Sequence, residues 1–224
     1  MTRSRQRRLG VMSGSARVSS DSGAVNPSRG HIRAAMRHSR RALPASERAG
    51  LADELARRVA TTPVLRRARR IAGYLANDGE MDPEPLMWRA LDRGKRLFLP
   101  VLHGPRLWFK PLESDTRLAL NRFGIPEPDA AARLRSPLLA LDLVLVPLVA
   151  FDAGGLRLGM GGGFYDRTFA ARRHRSHLER HRLIGVAYEL QRVEDLPSAP
   201  WDVPLDGVVT ENGLEWFPTR RRTG

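Results

Sequence analysis

Residues 157–167 read Arg-Leu-Gly-Met-Gly-Gly-Gly-Phe-Tyr-Asp-Arg and hold four glycines in five positions: Gly159, Gly161, Gly162 and Gly163. Glycine loses more backbone freedom on folding than any other residue, so such a cluster implies a return in close backbone approach. The usual return is a bulky anion met by backbone N–H groups. Arg157 and Arg167 flank the loop with guanidinium forks that match phosphate oxygens. Asp166 offers the hard carboxylate oxygen that magnesium takes. The chemistry these types and spacings suit is the cradling of nucleotide phosphates; the alternative is a glycine-rich turn with no ligand. Two familiar nucleotide motifs are excluded. A Walker loop ends in Gly-Lys-Ser/Thr, whereas this one ends in Gly-Phe-Tyr. The dinucleotide fingerprint needs glycine five places after its first, where Phe164 stands.

Other residues could join this chemistry. Glu80 follows Asp78 and Gly79 just past an expected strand, where a carboxylate can accept a ligand's N–H groups or can equally be a solvated turn residue. Asp206 opens another expected strand and could supply a second magnesium oxygen beside Asp166; alone it reads as a turn or cap residue. His174, His177 and His181 have helical spacing, but Arg172, Arg173, Arg175, Arg180 and Arg182 surround them, which suits a solvated basic helix better than a zinc site. No Gly-x-Ser-x-Gly elbow is present, so a serine-triad hydrolase is unsupported.

The elements that must position these groups follow from periodicity. Leu141 to Phe151 is an almost unbroken apolar run, the pattern of a strand buried on both faces, and Asp152 to Gly155 is a turn signal. Ser28 opens a helical pattern through Ile32, Met36 and Leu43. Ser46 can cap a second helix to about Ala60, with Leu51, Leu55 and Val59 on one face. Ile71 to Ala76 reads as a strand, Asp82-Pro83 starts a helix, and Arg96 to Val101 and Leu107 to Leu112 read as short strands. Gly124 to Asp129, with two prolines, reads as an extended linker. A polar helix is expected after the glycine loop, then strands at Leu183 to Tyr188 and Asp206 to Thr210. This alternation predicts an α/β fold with a mixed or mainly parallel sheet, whose ligands sit beyond the carboxyl ends of the strands.

The chain's 224 residues suffice for one domain with a real core. Cysteine is absent, which excludes disulfides and thiolate chemistry and suits a reducing cytoplasm. No apolar stretch has membrane-spanning length. Arginine supplies all but two of the 38 basic residues, and the net charge is +14. Residues 1–50 carry +9 of this, and Arg220, Arg221 and Arg222 add +3. The excess therefore sits at the ends, and no recognition motif accompanies it, which argues against a dedicated nucleic-acid partner. Residues 1–27 read as a disordered basic extension, and residues 28–217 as one domain before a basic tail at 218–224. A transit peptide or a later start at Met12 would explain the extension equally. The sequence does not fix the oligomeric state, with a monomer slightly favoured.

Taken in order, these segments resemble the 5-formyltetrahydrofolate cyclo-ligase (methenyltetrahydrofolate synthetase) family. The resemblance runs from about Ser28 to Trp216. It rests on Leu-Asp-x-x-Leu-Val-Pro and Ala-Phe-Asp within Leu141 to Asp152, and on the glycine loop. Asp78-Gly-Glu-Met-Asp82, Gly94-Lys-Arg and Trp201-Asp-Val-Pro-Leu-Asp206 with Val209-Thr210 complete it. It implies a three-layer open sheet with helices on both faces, like that of the ribose-isomerase and CoA-transferase group. It also implies an ATP- and magnesium-dependent cyclisation of 5-formyltetrahydrofolate. In that mechanism ATP phosphorylates the formyl oxygen, N10 attacks, and phosphate departs.

Carried over by position, the resemblance gives ATP contacts to Arg29, Arg33, Arg157, Leu158, Gly159, Met160, Gly161, Gly162, Gly163, Phe164 and Tyr165. Leu75, Glu80 and Phe164 border the pterin. Arg157 and Tyr165 are the catalytic candidates, and Asp166 and Asp206 the magnesium ligands. Some members have lysine where Gly162 stands, so Arg157 or Arg167 must supply that charge here. Alternatives from other classes are a non-catalytic protein that binds RNA through its basic ends, and a kinase-like enzyme acting on another pterin or formylated amine.

Overall fold

A computed structural model describes residues 27–129, 138–173 and 181–218. The basic extension to residue 26, the tail from 219, and His174 and His177 lie outside the described residues. The chain begins with α1 (Arg29–Ala42), α2 (Ala45–Val59) and α3 (Pro63–Arg67). Ser28 caps α1, its hydroxyl accepting the His31 N–H at 3.3 Å, as its side-chain type demands. Ser46, expected as the cap of α2, instead lies inside its first turn, because Pro44 makes no amide demand and already stands at the N-cap in an extended conformation.

β1 (Arg70–Ala72) leads through a long turn to α4 (Glu84–Leu91). β2 (Arg96–His103) and β3 (Arg106–Leu112) form a hairpin, followed by β4 (Leu118–Leu120) and β5 (Pro126–Pro128). Then come β6 (Leu143–Pro147), β7 (Ala150–Phe151), β8 (Arg157–Leu158), α5 (Phe164–Thr168), β9 (Arg182–Val186), β10 (Gly207–Thr210) and β11 (Gly213–Trp216). Among the described residues, seven strands form one sheet in the order β11-β10-β9-β6-β1-β2-β3. The central five, β10 to β2, run parallel, and β11 and β3 are antiparallel edges. The mixed, mainly parallel sheet is as the alternating pattern requires.

The sheet separates two apolar layers by strict alternation. Ile71, Leu143, Leu145, Ile184 and Val209 face one cluster with Leu55, Ala56 and Val59 of α2 and Leu86 and Met87 of α4. Ala72, Val144, Val146, Leu183 and Val208 face the other. That second layer is closed by Phe169 just after α5 and by the irregular segments holding Leu141, Val203, Leu205 and Phe217. The polar helix expected after the glycine loop is, in the described part, α5 and a single turn at Ala170–Arg173.

Three local readings change. The run Leu141 to Phe151 is not one strand: β6 ends at Pro147, and β7 leaves the sheet to pair antiparallel with β8 as a separate hairpin. The segment read as a linker contains β5, which pairs with β4. Its prolines are tolerated because the pair has no further neighbour to receive their missing amides. β11 was not expected; its short polar pattern carries little strand signal.

Candidate active site

The order of strands reverses between β1 and β6: the chain proceeds outward from β1 to β2 and β3, and from β6 to β9, β10 and β11. In open α/β sheets the crevice beyond the carboxyl ends of two such strands is where a ligand fits. Here that crevice is a cleft of about 570 Å³, inside the range of small-molecule sites. Its walls include Tyr74, Leu75 and Glu80 after β1, Pro147 at the end of β6, and Gly159, Met160 and Gly162 to Asp166 with Arg157. The β4–β5 hairpin adds Asn121, Phe123 and Glu127.

Glu80 reaches the cleft through a turn in which Asp78 (φ +55°) and Gly79 (φ +74°) are both left-handed. The side chain of Glu80 accepts the Asn77 N–H at 3.2 Å and stands 3.9 Å from the Arg40 guanidinium. Burial pushes its carboxyl up to about 7, against the pull of Arg40 and the Asn77 amide. Asp78 shows the opposite balance. Burial would raise its carboxyl, but hydrogen bonds from Arg37, Arg41 and Arg40 prevail and hold it at about 2. Tyr74 donates to the Met81 carbonyl at 2.6 Å, and Tyr188 to the Glu80 carbonyl at 3.3 Å, so the turn is fixed from two sides.

The glycine loop leaves the β7–β8 hairpin, not a strand of the main sheet. Gly161 (φ +104°) passes under the Arg33 guanidinium, which an added Cβ would meet at 3.8 Å. Arg33 Nε donates to the Gly159 carbonyl at 2.8 Å, so α1 holds the loop directly. Arg157 is buried; one arm donates to the Val203 carbonyl and the other to Asp166 Oδ1 at 2.7 Å. The same carboxylate oxygen accepts the Val203 N–H at 3.1 Å. Tyr165 lines the cleft, and its hydroxyl is held well above its ordinary pKa by burial and then by Glu80, so it is neutral at physiological pH.

A Cβ on Gly162 would lie 2.9 Å from the ring of Phe164. That ring occupies the space that a lysine there would use. Arg167 lies across this part of the loop, donating to the Gly162 carbonyl and, at 2.6 Å, to Pro105 O. Its guanidinium stands 5.3 Å from the Phe164 centroid, and Phe123 meets the same ring edge-on at 5.8 Å.

Leu75, Glu80, Arg157 and Gly159 to Asp166 are thus brought together, with Arg33 behind the loop. Other expected residues are not. Leu158 packs its side chain into a cluster with Ile32, Ala150 and Leu196, away from the cleft. Arg29 makes a two-armed pair with Asp202 at 2.8 and 3.0 Å. Asp206 lies at the amino end of β10, the opposite edge of the sheet from the cleft. Its oxygens accept both bonds from Arg172 Nη2 at 2.8 Å and the Leu183 N–H at 2.7 Å. It therefore does not pair with Asp166 as a magnesium site, and no group of three or more potential metal ligands occurs among the described residues. His181 is buried and its pKa falls to about 4, through burial first and Arg172 next, so it belongs to the core beneath Phe169 and not to a solvated basic helix.

Sequence reasoning missed Arg37, Arg40, Asp78, Phe123 and Asp202. The signal for two of these was present: Arg33, Arg37 and Arg40 recur at helical spacing on one face of α1.

The fold and cleft define an α/β protein with a glycine loop and a largely enclosed carboxylate lining one switch-point crevice. The family model of the 5-formyltetrahydrofolate cyclo-ligase family matches residues 25–211, and the chain belongs to that family. A 5-formyltetrahydrofolate cyclo-ligase of Escherichia coli is 42% identical over 173 residues, covering 74% of this chain and 91% of that protein. One from Haemophilus influenzae is 43% identical over 143 residues, covering 62% and 74%. The NMR structure of a 5,10-methenyltetrahydrofolate synthetase of Aquifex aeolicus superposes with a TM-score of 0.73 at 31% identity, covering 88% of this chain and 96% of that one.

Proposed function

We propose that this protein catalyses the ATP-dependent cyclisation of 5-formyltetrahydrofolate to 5,10-methenyltetrahydrofolate, releasing ADP and phosphate. The observation that carries this reading, beside family membership, is the shared cleft. One cavity of about 570 Å³ presents a buried carboxylate, Glu80, and the glycine loop to the same ligand space.

In this reading Glu80 receives the N–H groups of the pterin, which add to the Asn77 N–H in satisfying its carboxylate. Leu75 and Phe164 border the ring. The nucleotide phosphates lie along Gly159 to Gly163, where the backbone approaches closely and Arg33 stands behind. The γ-phosphoryl group passes to the formyl oxygen, which makes the formyl carbon electrophilic. N10 then attacks that carbon and loses its proton, which the departing phosphate takes up, and the C–O bond breaks as phosphate leaves. Transfer of this kind depends on positioning and charge neutralisation rather than on a protein nucleophile. Arg157, locked by Asp166 and Val203 O, supplies a fixed positive charge. Arg167 takes the place of the lysine found at Gly162 in other members. The neutral hydroxyl of Tyr165 is a donor available to the phosphoryl oxygens and does not act as a base.

Magnesium would be held by Asp166 through the oxygen not committed to Arg157, together with the nucleotide's own phosphates, as is usual for this ion. It would neutralise phosphate charge. Arg29 and Asp206 are assigned structural roles, the first on Asp202 and the second on Arg172.

The test is absorbance at the methenyl-folate band with purified protein, 5-formyltetrahydrofolate, magnesium and ATP. ATP-dependent product that disappears in Glu80→Ala and in Gly161→Pro supports the reading. Folded wild-type protein that forms no product excludes it.

A further inference from the structure

Arg40 has no place in the chemistry above, yet its side chain is fully buried. A buried cation is tolerated only where its hydrogen bonds are met. Nε donates to the Asp78 carbonyl at 2.9 Å, and Nη2 to Asp78 Oδ2 at 2.8 Å. Nη1 points to the Leu148 carbonyl at 3.4 Å, between β6 and β7, and Nη2 lies 3.7 Å from the sulfur of Met160 in the glycine loop. Nη2 is also 3.9 Å from Glu80 Oε1. One side chain thus touches the turn that carries the carboxylate, the end of the central strand, and the opposite wall of the cleft.

The turn needs such a clamp. Asp78 is the one non-glycine residue with positive φ among the described residues, a conformation that side chains with a Cβ disfavour. Left-handed residues persist where the surroundings over-determine them, and they gather at functional sites. Asp78 is over-determined by three arginines of α1: Arg37, Arg40 and Arg41. Gly79 completes the turn against the same helix, its missing Cβ facing the Arg40 carbonyl at 3.4 Å. Two left-handed residues in succession reverse the chain and aim Glu80 back into the cleft.

We propose that Arg40 is a positioning residue. It locks the Asp78–Gly79 turn and thereby fixes both the placement and the charge state of the Glu80 carboxylate that receives the folate. The inference rests on the reading of Glu80 given above. Other charged or titratable groups act on or contact Glu80: Asp78 in its own turn, Tyr74 after β1, Tyr165 of α5, and Tyr188 after β9, which donates to its carbonyl, while Arg37 and Arg157 line the same cleft. Only Arg40 both bonds the turn and lies within 4 Å of the carboxylate among the ion pairs of the described residues.

Arg40→Met, Arg40→Lys and Asp78→Asn test this with two readouts. The first is KM for 5-formyltetrahydrofolate beside KM for ATP. The second is the titration midpoint of Glu80, read without turnover from the pH-dependent stability difference between each background and the same background carrying Glu80→Gln. Arg40→Met is expected to raise the folate KM about tenfold, the worth of one lost charge-assisted bond, with KM for ATP changed less than about twofold. It should move the Glu80 midpoint upward by about one pH unit, because a nearby opposite charge has gone. Asp78→Asn removes a like charge and should move the midpoint downward while still raising the folate KM. Arg40→Lys should keep the midpoint near that of the wild type but not restore the folate KM, since lysine lacks the fork that grips both the carbonyl and the carboxylate.

Midpoints that shift in the same direction in Arg40→Met and Asp78→Asn, or in neither, overturn the proposal and leave Arg40 as packing. Should Arg40→Met fail to fold, Arg40→Lys and Asp78→Asn decide it alone: a Lys variant with wild-type folate KM overturns it. Wild-type protein without folate turnover sinks the functional reading separately, and the Glu80 midpoints still decide whether Arg40 governs that carboxylate.

Discussion

Two carboxylates two residues apart titrate in opposite directions, and their neighbours explain why. Asp78, gripped by three arginines, stays ionised down to about pH 2, whereas buried Glu80 titrates near 7. The signs set two expectations. Glu80 has a folded pKa above its ordinary 4.5. Between these values the unfolded chain ionises while the native carboxyl stays protonated, so native stability falls as pH rises through that window. The loss is of the order of 3 kcal/mol, and urea titrations from pH 4 to 8 should show it in the wild type and not in Glu80→Gln. Above the window the difference is constant. Catalysis runs the other way: if ionised Glu80 accepts the pterin N–H groups, KM for folate should rise as pH falls below about 7, and a flat profile in Glu80→Gln at high KM identifies the group. The Glu80 carboxylate was legible as a candidate from its place after a strand. Its elevated pKa was not, because much of the cleft that encloses it comes from distant segments: Leu99 and Pro100, Pro147, and Phe164 to Asp166.

Among the elements, α1 and the glycine loop depend on one another. α1 offers a row of arginines, of which Arg33 grips Gly159 O and Arg37 and Arg40 grip Asp78, so the helix braces both walls of the cleft. The loop in turn requires backbone conformations that only glycine adopts cheaply. Gly163 has φ +63°, and an added Cβ would lie 2.7 Å from Arg167 Nη1. Gly163→Ala should therefore cost about 1–2 kcal/mol, read as a lower midpoint in urea, and should raise KM for ATP more than KM for folate. Equal increases in both would show that the loop does not belong to the nucleotide side. Gly124 to Asp129, which holds β5, reads as a linker because Pro126 and Pro128 argue against a strand. Asn121, which accepts the Phe123 and Ile125 amides at 2.9 and 3.2 Å, closes the β4–β5 turn, and Glu127 ties the hairpin to the Leu102 N–H at 3.1 Å. The Glu127 bond and the Phe123–Phe164 contact, both distant in sequence, bring Phe123 to the cleft.

At the scale of the whole molecule, the site is a crevice between halves of the sheet, so ligands that fill it should stabilise the native state as a unit. At about one hundred times its dissociation constant, a ligand that binds only the folded chain adds about 2.7 kcal/mol. For a domain of this size that is a rise of roughly 5–10 °C in Tm. Thermal shifts should appear with ATP and with 5-formyltetrahydrofolate, and only the latter should vanish in Glu80→Ala. The core beneath is set by alternation: Leu145→Ala in β6, buried against α2 and α4, should cost about 2–5 kcal/mol by denaturant melting. This much was decided by sequence alone: the α/β class, the buried central strand, the glycine loop and the family, because alternation, helical spacing and turn residues act over short stretches of chain. Tertiary structure alone decided that β7 leaves the sheet, that Asp206 serves Arg172 at the far edge, and that Arg40 reaches across to Asp78, Glu80 and Met160. Those outcomes depend on strand order and on long side chains that meet across dozens of intervening residues, and local sequence carries no record of either.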